Sequence, residues 1–79
     1  MKRSTYTVQC AMDNGTVTSF TRYAWNAARR SIVETLRATG QAWEKIDSNY
    51  EKVGSSHVHG SEVWQNKNGE KVRFVINKS

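Results

Sequence analysis

Proline is absent from the sequence, and Cys10 is its only cysteine. A single cysteine excludes an intramolecular disulfide and a cysteine-based zinc cage, since both need more than one thiol. The lack of proline and of low-complexity segments argues against an internal linker. No apolar run approaches the ~20 residues that a membrane-spanning helix needs, and no apolar signal-peptide core follows Lys2 and Arg3. We therefore expect a cytoplasmic protein that does not bind membranes.

Acidic residues are few compared with basic ones. Lysine and arginine number 12 against 7 acidic residues, which gives a formal net charge of +5 and a pI of about 9.7. This excess favours acidic partners, such as nucleic acid or an acidic protein surface, and does not determine the fold. At 79 residues the chain is too short for two independent cores. We expect a monomer with one domain over residues 1–79, frayed at residues 1–4 and 77–79.

The segment from Thr18 to Thr39 is the only long run with a helical period. Ser19 and Thr21 are good N-cap residues, because a hydroxyl oxygen accepts a hydrogen bond from a first-turn N–H group. Gly40 readily adopts the left-handed conformation that is common just after a helix. The helix is therefore predicted to begin near Thr21 and to end near Thr39.

This predicted helix is amphipathic. One face is small and apolar and is expected to pack on a sheet: Ala24, Trp25, Ala28, Ile32, Thr35 and Leu36. The opposite face carries most of the arginines: Arg22, Asn26, Arg29, Arg30, Val33 and Arg37. A charged helix face often serves only to keep a small domain soluble. The alternative is an anion-binding surface, because Glu34 is the only acidic residue nearby.

An Asn-Gly pair predicts a hairpin before the helix. Residues 5–12 alternate in polarity, which indicates a half-buried strand with one inward face: Tyr6, Val8, Cys10 and Met12. Asn14 and Gly15 then suit a two-residue type I′ turn, which needs positive φ at both positions. In that register Met12 opposes Val17 and Cys10 opposes Ser19.

A second Asn-Gly pair, Asn68 and Gly69, predicts a terminal hairpin. With these two residues as the loop, Trp64 opposes Arg73 and Val63 opposes Phe74. The predicted core face is then Val63, Val72, Phe74 and Ile76, and the other face shows Glu62, Trp64, Asn66, Lys71, Arg73 and Val75. A tryptophan across from an arginine on a solvent face favours a cation–π contact. Such a pair either stabilises the hairpin locally or forms part of a binding surface.

The region between helix and terminal hairpin has no clear period. We expect a strand over residues 43–47 and a further one near Tyr50. One antiparallel sheet curled around one helix is the natural way to cover an amphipathic helix in so short a chain. The predicted fold class is α+β, with a single helix on an antiparallel sheet of four to five strands in the order β-β-α-β-β-β.

Catalytic chemistry has little support in the sequence. His57 and His59 would share one side of a strand, but Glu62 is on a different face and a metal needs more ligands than two imidazoles. Cys10 is predicted to point into the core, where a thiol is usually inert. Glycine-rich phosphate loops, nucleophile elbows and carboxylate pairs do not occur. We expect neither an enzyme nor a bound cofactor or metal.

Basic and aromatic residues favour binding instead. The candidate partner-binding residues are Arg22, Arg29, Arg30, Arg37, Trp64, Lys67, Lys71 and Arg73. No helix-turn-helix, RNA-recognition or zinc-finger pattern is present, so nucleic-acid binding inferred from charge would be independent of sequence. The basic patches of the helix and of the terminal hairpin are either contiguous or on opposite sides of the domain. They are on opposite sides if Trp64 projects away from the helix.

Two stretches carry a resemblance to a known group of proteins: residues 19–30, a helix start after a short strand, and residues 63–75, the terminal hairpin. With them the chain resembles small phage and mobile-element anti-CRISPR proteins, type I inhibitors with a single helix packed on an antiparallel sheet. The resemblance is architectural and spans most of the chain without a diagnostic motif.

The resemblance implies a non-catalytic, stoichiometric inhibitor in the bacterial host cytoplasm. Such an inhibitor binds subunits of a type I RNA-guided surveillance complex of the Cascade kind and blocks binding of target DNA. DNA mimicry favours an acidic chain, so the basic composition points instead to acidic protein patches or to nucleic acid held in the complex. The alternative function is a small, basic, sequence-independent DNA- or RNA-binding protein.

Overall fold

A computed structural model describes residues 4–79, which form one α-helix and five β-strands. In chain order the elements are β1 (Tyr6–Met12), β2 (Val17–Arg22), α1 (Trp25–Ala38), β3 (Trp43–Val53), β4 (Ser56–Asn66) and β5 (Lys71–Lys78). The strands form an open sheet in the order β2-β1-β5-β4-β3, and all neighbouring pairs are antiparallel. The predicted α+β class, with its element order, is confirmed.

α1 connects the two edge strands and packs on one face of the sheet, which we call the helix side; the opposite face is the outer face. The core consists of buried side chains from β1, β5 and α1: Tyr6, Val8, Cys10, Ala28, Ile32, Leu36, Val72, Phe74 and Ile76. The inward face predicted for β1 is confirmed. The core therefore lies between α1 and the middle of the sheet, away from β3.

The predicted start of the helix is wrong, because α1 begins at Trp25 and not near Thr21. β2 continues as far as Arg22, which pairs with Tyr6 on β1. Ser19 and Thr21 therefore lie within the strand and cannot cap the helix. Pairing with β1 outweighs the local preference of these hydroxyl residues for an N-cap.

The end and the inner face of the helix agree better with the sequence. α1 ends at Ala38, Thr39 occupies the C-cap, and Gly40 follows with a φ of 73°. Of the predicted inner face, Ala28, Ile32 and Leu36 are buried, and Trp25 and Thr35 are half-buried. Ala24 is exposed, because it is the N-cap residue and precedes the first turn.

The first hairpin has a three-residue loop, residues 13–15, and not the predicted two-residue turn. The N–H group of Gly15 donates to the carbonyl oxygen of Met12 at 3.0 Å, and its φ is 88°. Within residues 4–79 only glycines have positive φ, so Asn14 cannot complete a type I′ turn. The predicted pairs, Met12 with Val17 and Cys10 with Ser19, are therefore wrong by one residue: Ala11 pairs with Val17 and Cys10 with Thr18.

The terminal hairpin has the same kind of loop, over residues 67–69. Gly69 is left-handed, with a φ of 82°. The side-chain oxygen of Asn66 accepts hydrogen bonds from the N–H groups of Asn68 and Glu70, both at 3.0 Å. This side chain therefore holds a loop one residue longer than predicted. The observed pairs are Glu62 with Phe74, Val63 with Arg73 and Trp64 with Val72.

A shift of one residue in this register moves every β4 side chain to the other face of the sheet. Trp64 therefore lies on the helix side, half-buried against the core. Val63, predicted in the core, lies on the outer face opposite Arg73. The predicted contact between Trp64 and Arg73 is wrong for the same reason. The observed register buries part of a large indole where the predicted one would bury a small valine, a gain in apolar area.

β3 is one continuous strand of 11 residues and not two short ones. It forms an edge of the sheet and pairs with β4 alone. Its register shifts between Lys45 and Asp47, so Ile46 is the extra residue of a β-bulge. A bulge restarts the alternation of side chains, which explains why the sequence of this segment shows no clear period.

The C-terminal strand is longer than expected. β5 extends to Lys78, which pairs with Tyr6, and the N–H group of Ser79 donates to the carbonyl oxygen of Thr5 at 2.9 Å. Residues 77 and 78, where we expect fraying, thus belong to a paired strand. The expected fraying of residues 1–4 concerns mainly residues 1–3, which lie outside the described residues.

Candidate functional site

Aromatic and cationic side chains alternate along the helix side, between α1 and the edge strand β3. We call this set the aromatic–cationic row: Arg29 and Arg37 from α1, Lys45 and Tyr50 from β3, and Trp64 from β4. α1 places Arg29, Val33 and Arg37 on one stripe, because residues four apart are neighbours on a helix. Lys45 pairs directly with Trp64, so both side chains point to the helix side.

The cations of the row lie close to its rings. The guanidinium carbon of Arg29 is 5.4 Å from the ring centre of Tyr50. The amino nitrogen of Lys45 is 6.0 Å from the ring of Tyr50 and 5.8 Å from that of Trp64. Each contact contributes only about 0.5–1 kcal/mol at an exposed site. A competing anion or ring can therefore displace these cations at low cost.

Glu62 lies beneath the row and is almost inaccessible, with 3% of its surface exposed. Its carboxylate accepts hydrogen bonds from the hydroxyl of Tyr50 and from the indole N–H of Trp64, the latter at 2.9 Å. The Nε atom of Arg29 lies 3.6 Å from the same carboxylate. The two hydrogen bonds and the nearby guanidinium offset the cost of burying the charge, and the hydrogen bonds fix the orientation of both rings.

The hydroxyl of Tyr50 is the donor in this network. Burial raises the pKa of Tyr50 above its ordinary value, and the Glu62 carboxylate raises this pKa further, while Arg29 acts in the opposite direction. The phenol is therefore protonated at neutral pH and does not compete with Glu62 for the positive charge of Arg29.

One end of the row adjoins a cluster of rings around Trp25. The indole of Trp25 stacks on the imidazole of His57, with ring centres 4.5 Å apart and planes 6° from parallel. It also meets Tyr6 and Tyr50 edge-on, at 5.9 and 6.3 Å. Gly60 makes room for this cluster, because a Cβ atom at that position would lie 2.8 Å from Trp25.

The sequence predicted that the two histidines share one side of their strand, and this prediction is wrong. The β3–β4 register shifts here, with Glu51 opposite His59 and Lys52 opposite His57. His57 therefore reaches Trp25 on the helix side, whereas His59 lies on the outer face with its Nδ1 atom 2.7 Å from the side-chain oxygen of Asn77. Among residues 4–79 no group of three or more His, Cys, Asp or Glu side chains is placed to hold a metal.

The other end of the row opens into a shallow cavity of about 160 Å³. Its lining residues come from α1 and the strands that follow it: Val33, Leu36, Arg37, Gln41, Trp43 and Trp64. The indole N–H of Trp43 donates to the hydroxyl of Thr39 at 2.8 Å, which fixes this ring beside the helix end. The cavity combines apolar walls with the guanidinium of Arg37 at its rim.

The fold divides the predicted site residues among several places. Arg29 lies over the ring of Tyr50, and Arg37 and Trp64 line the cavity at the other end of the row. Arg30 is exposed elsewhere on α1. Arg22 lies at the end of β2, with its guanidinium carbon 4.9 Å from the ring centre of Phe20. Lys67 is in the terminal loop, and Lys71 and Arg73 project from the outer face. The helix and hairpin patches are therefore not contiguous, and Trp64 belongs with the helix.

Sequence reasoning missed Lys45, Tyr50 and Glu62. Their strand shows no alternation across the Ile46 bulge, and the one-residue register error placed Glu62 on the wrong face. A usable signal existed in the spacing of Glu62 and Trp64, because residues two apart on a strand share a face. The indole N–H and the carboxylate are matched as donor and acceptor.

Cys10 is buried as predicted, with 2% of its surface exposed. Burial raises the pKa of the Cys10 thiol, although a hydrogen bond with Thr18 lowers it in part. A thiol in this setting is a poor nucleophile, because the thiolate is the reactive form.

Comparisons with protein-family models, with curated proteins and with solved structures gave no match. In the part of the chain that the structure describes, no helix is long and apolar enough to cross a bilayer. The function is therefore inferred from the chemistry of the surface, above all that of the aromatic–cationic row.

Proposed function

We propose that this chain acts by binding rather than by catalysis, and that it binds nucleic acid independently of sequence through the aromatic–cationic row. The observation that carries the proposal is the position of Lys45, 6.0 Å from the ring of Tyr50 and 5.8 Å from that of Trp64. Arg29 lies beyond Tyr50, at 5.4 Å. Interleaved cations and rings supply both the phosphate and the base contacts that a nucleic-acid interface uses.

The charges of the row support a polyanionic partner. Arg29, Arg37 and Lys45 are exposed, and the one ion pair that any of them makes within residues 4–79 joins Arg29 to the buried carboxylate of Glu62. The net charge of +5 adds a long-range attraction for the same class of partner. Lys71 and Arg73, on the outer face, contribute to this attraction but not to the contact itself.

Affinity capture from a bacterial lysate, with and without nuclease treatment, tests the proposal. We expect nucleic acid to be recovered, to disappear after nuclease, and to be lost steeply as salt rises, since phosphate contacts release bound counterions. Recovery of nucleic acid that is unaffected by replacing Lys45 and Arg37 with glutamine would contradict a role for the row.

A second candidate function is inhibition of a type I RNA-guided surveillance complex, which the architectural resemblance implies. The observation that favours it is the edge strand β3, whose long free edge carries the exposed side chains of Ile46 and Val53. A protein partner could extend the sheet along this edge, using main-chain hydrogen bonds for affinity. Docked in this way, the chain would block the binding of target DNA by that complex.

The same capture experiment distinguishes the two candidates. One defined protein complex that survives nuclease, together with reduced target-DNA binding by that complex in the presence of the chain, supports the inhibitor. Nucleic acid as the sole recovered partner supports the first proposal and contradicts the second.

A further inference from the structure

We infer that the nucleic acid held by the aromatic–cationic row is single-stranded, with unpaired bases stacked against Tyr50 and Trp64. The inference rests on the proposed function and names its substrate class. It follows from three features of the row: how its rings are held, how its cations are spaced, and where the remaining cations lie.

The rings are anchored by hydrogen bonds, and the side chains that cover them are long and cationic. Glu62 anchors the hydroxyl of Tyr50 and the indole N–H of Trp64 from below. The flexible amino group of Lys45 contacts both rings. An anchored ring loses little conformational entropy when a base stacks on it, and a lysine can swing from the ring to a phosphate. Bases in a duplex are already stacked and cannot use such a platform.

The cations are spaced to flank the rings. Arg29 and Arg37 are two helical turns apart, about 12 Å along the axis of α1, and Lys45 of β3 lies near both rings. A strand running parallel to α1 would therefore meet cations of α1 on one side of its stacked bases and Lys45 on the other.

Two of the remaining cations, Lys71 and Arg73, lie on the outer face of the sheet and cannot extend the row toward the second strand of a duplex. Glu62 offsets part of the charge of Arg29. With three cations in contact, we expect a salt slope of about −2 for a single strand, since each contacted phosphate contributes roughly −0.7. Raising salt from roughly 50 to 200 mM would then weaken binding about 15-fold.

Fluorescence anisotropy with a dye-labelled oligothymidine of about 15 nucleotides, compared with a hairpin duplex of the same length, tests the inference. We expect the single strand to bind about tenfold more tightly than the duplex and to quench tryptophan fluorescence. Tyr50→Ala is expected to weaken single-strand binding about tenfold, the effect of losing one stacked base. Lys45→Gln, a change on an exposed strand position, is expected to weaken it severalfold and to lower the salt slope.

Arg37→Gln and Arg73→Gln form a matched pair, since both replace an exposed arginine on opposite sides of the sheet. Arg37→Gln is expected to weaken binding and Arg73→Gln to leave it within about twofold. Equal or tighter binding of the duplex overturns the single-strand inference while the nucleic-acid function stands. Equal loss in the two variants contradicts the row as the binding surface, on which both proposals rest. Failure to bind either probe at roughly 50 mM salt overturns both.

Discussion

The two halves of the sheet bury different chemistry. β1 and β5 meet α1 through apolar side chains such as Val8, Phe74 and Ile76, each at most 1% exposed. β3 and β4 present rings, cations and the buried carboxylate of Glu62 on the same side of the sheet, and most β3 residues are exposed. One half is a conventional core, whereas the other is a polar surface built on a rigid base.

This difference suggests that one half of the sheet supplies stability and the other orients surface side chains. Buried apolar area is the main source of stability in so small a domain. A buried carboxylate with three polar neighbours is a costly way to fill space, and an apolar residue of similar size is often at least as stable. We interpret the polar network as support for the orientation of Tyr50 and Trp64, and therefore as part of the proposed binding surface.

The largest expected contrast comes from the same substitution in each half. Ile76→Ala removes a side chain that is 1% exposed and leaves a cavity in the core, at a cost of about 2–5 kcal/mol. Ile46→Ala changes a side chain that is 46% exposed at the bulge, and we expect a change within about 0.5 kcal/mol. Urea denaturation followed by circular dichroism measures both. Similar losses in the two variants would show that the β3 edge contributes to the core.

Gly60→Ala probes the junction between the halves. The added Cβ atom would lie 2.8 Å from Trp25 and 3.0 Å from Tyr50, so the rings must shift. We expect a loss of about 1–3 kcal/mol, as for other overpacked sites. Ser61→Ala, on the next residue and the opposite face, serves as the control.

A smaller ring at position 25 separates crowding from other effects of Gly60→Ala. In a Trp25→Phe background the added methyl group has more room, and the further loss caused by Gly60→Ala is expected to shrink. Full additivity of the two changes in denaturant unfolding would argue against a steric origin.

Much of the fold could be predicted because its signals are local. The alternation of Tyr6, Val8 and Cys10 and the apolar stripe of α1 are set by the period of each element. The start of α1 could not be predicted from capping. Ser19 and Thr21 lie in β2 and pair with β1, and this pairing is an interaction that local sequence does not show. Both hairpin registers were wrong by one residue, because an Asn-Gly pair suits a three-residue loop with a left-handed glycine as well as a two-residue turn.

Less of the candidate site could be predicted, because its geometry depends on strand register and on a bulge, and neither is set by local sequence alone. The face of Trp64 depends on a register that Asn66 determines through its bonds to the terminal loop. The helix stripe predicted that Arg29 and Arg37 share an exposed face of α1, and the structure has them there. The partners of these arginines on β3 are set by a bulge, and a bulge has no reliable signature in a single sequence.

Glu62→Ala tests whether the polar network orients the rings. The change leaves the hydroxyl of Tyr50 and the indole N–H of Trp64 without their acceptor, but both rings are near solvent, so we expect a loss of about 1–2 kcal/mol. Tryptophan emission is expected to shift as Trp64 becomes mobile. Glu51→Ala, at an exposed position of β3, is the matched control and is expected to change neither property. An unaltered emission spectrum in Glu62→Ala would contradict an orienting role.

The smallest expected effect is a pH dependence carried by Tyr50. Its pKa is raised in the folded protein by burial and by the Glu62 carboxylate, whereas in the unfolded chain it is about 10. The protonated hydroxyl of Tyr50 therefore makes its full contribution to the unfolding free energy below a pH of about 10. At higher pH the unfolded chain loses this proton more readily, so the contribution is lost as pH rises through the folded pKa.

Tyr50→Phe isolates this contribution, because phenylalanine keeps the ring and lacks the titrating group. We expect the difference in unfolding free energy between the wild-type protein and the variant to be constant at neutral pH and to shrink above pH of about 10. In a Glu62→Gln background the same difference in unfolding free energy is expected to shrink less at alkaline pH, since the carboxylate that opposes ionisation of Tyr50 is gone. Because other groups titrate equally in both proteins of each pair, the difference reports Tyr50 alone. A difference that stays constant at alkaline pH would mean that the hydroxyl does not sense Glu62, and the carboxylate would then anchor Trp64 only.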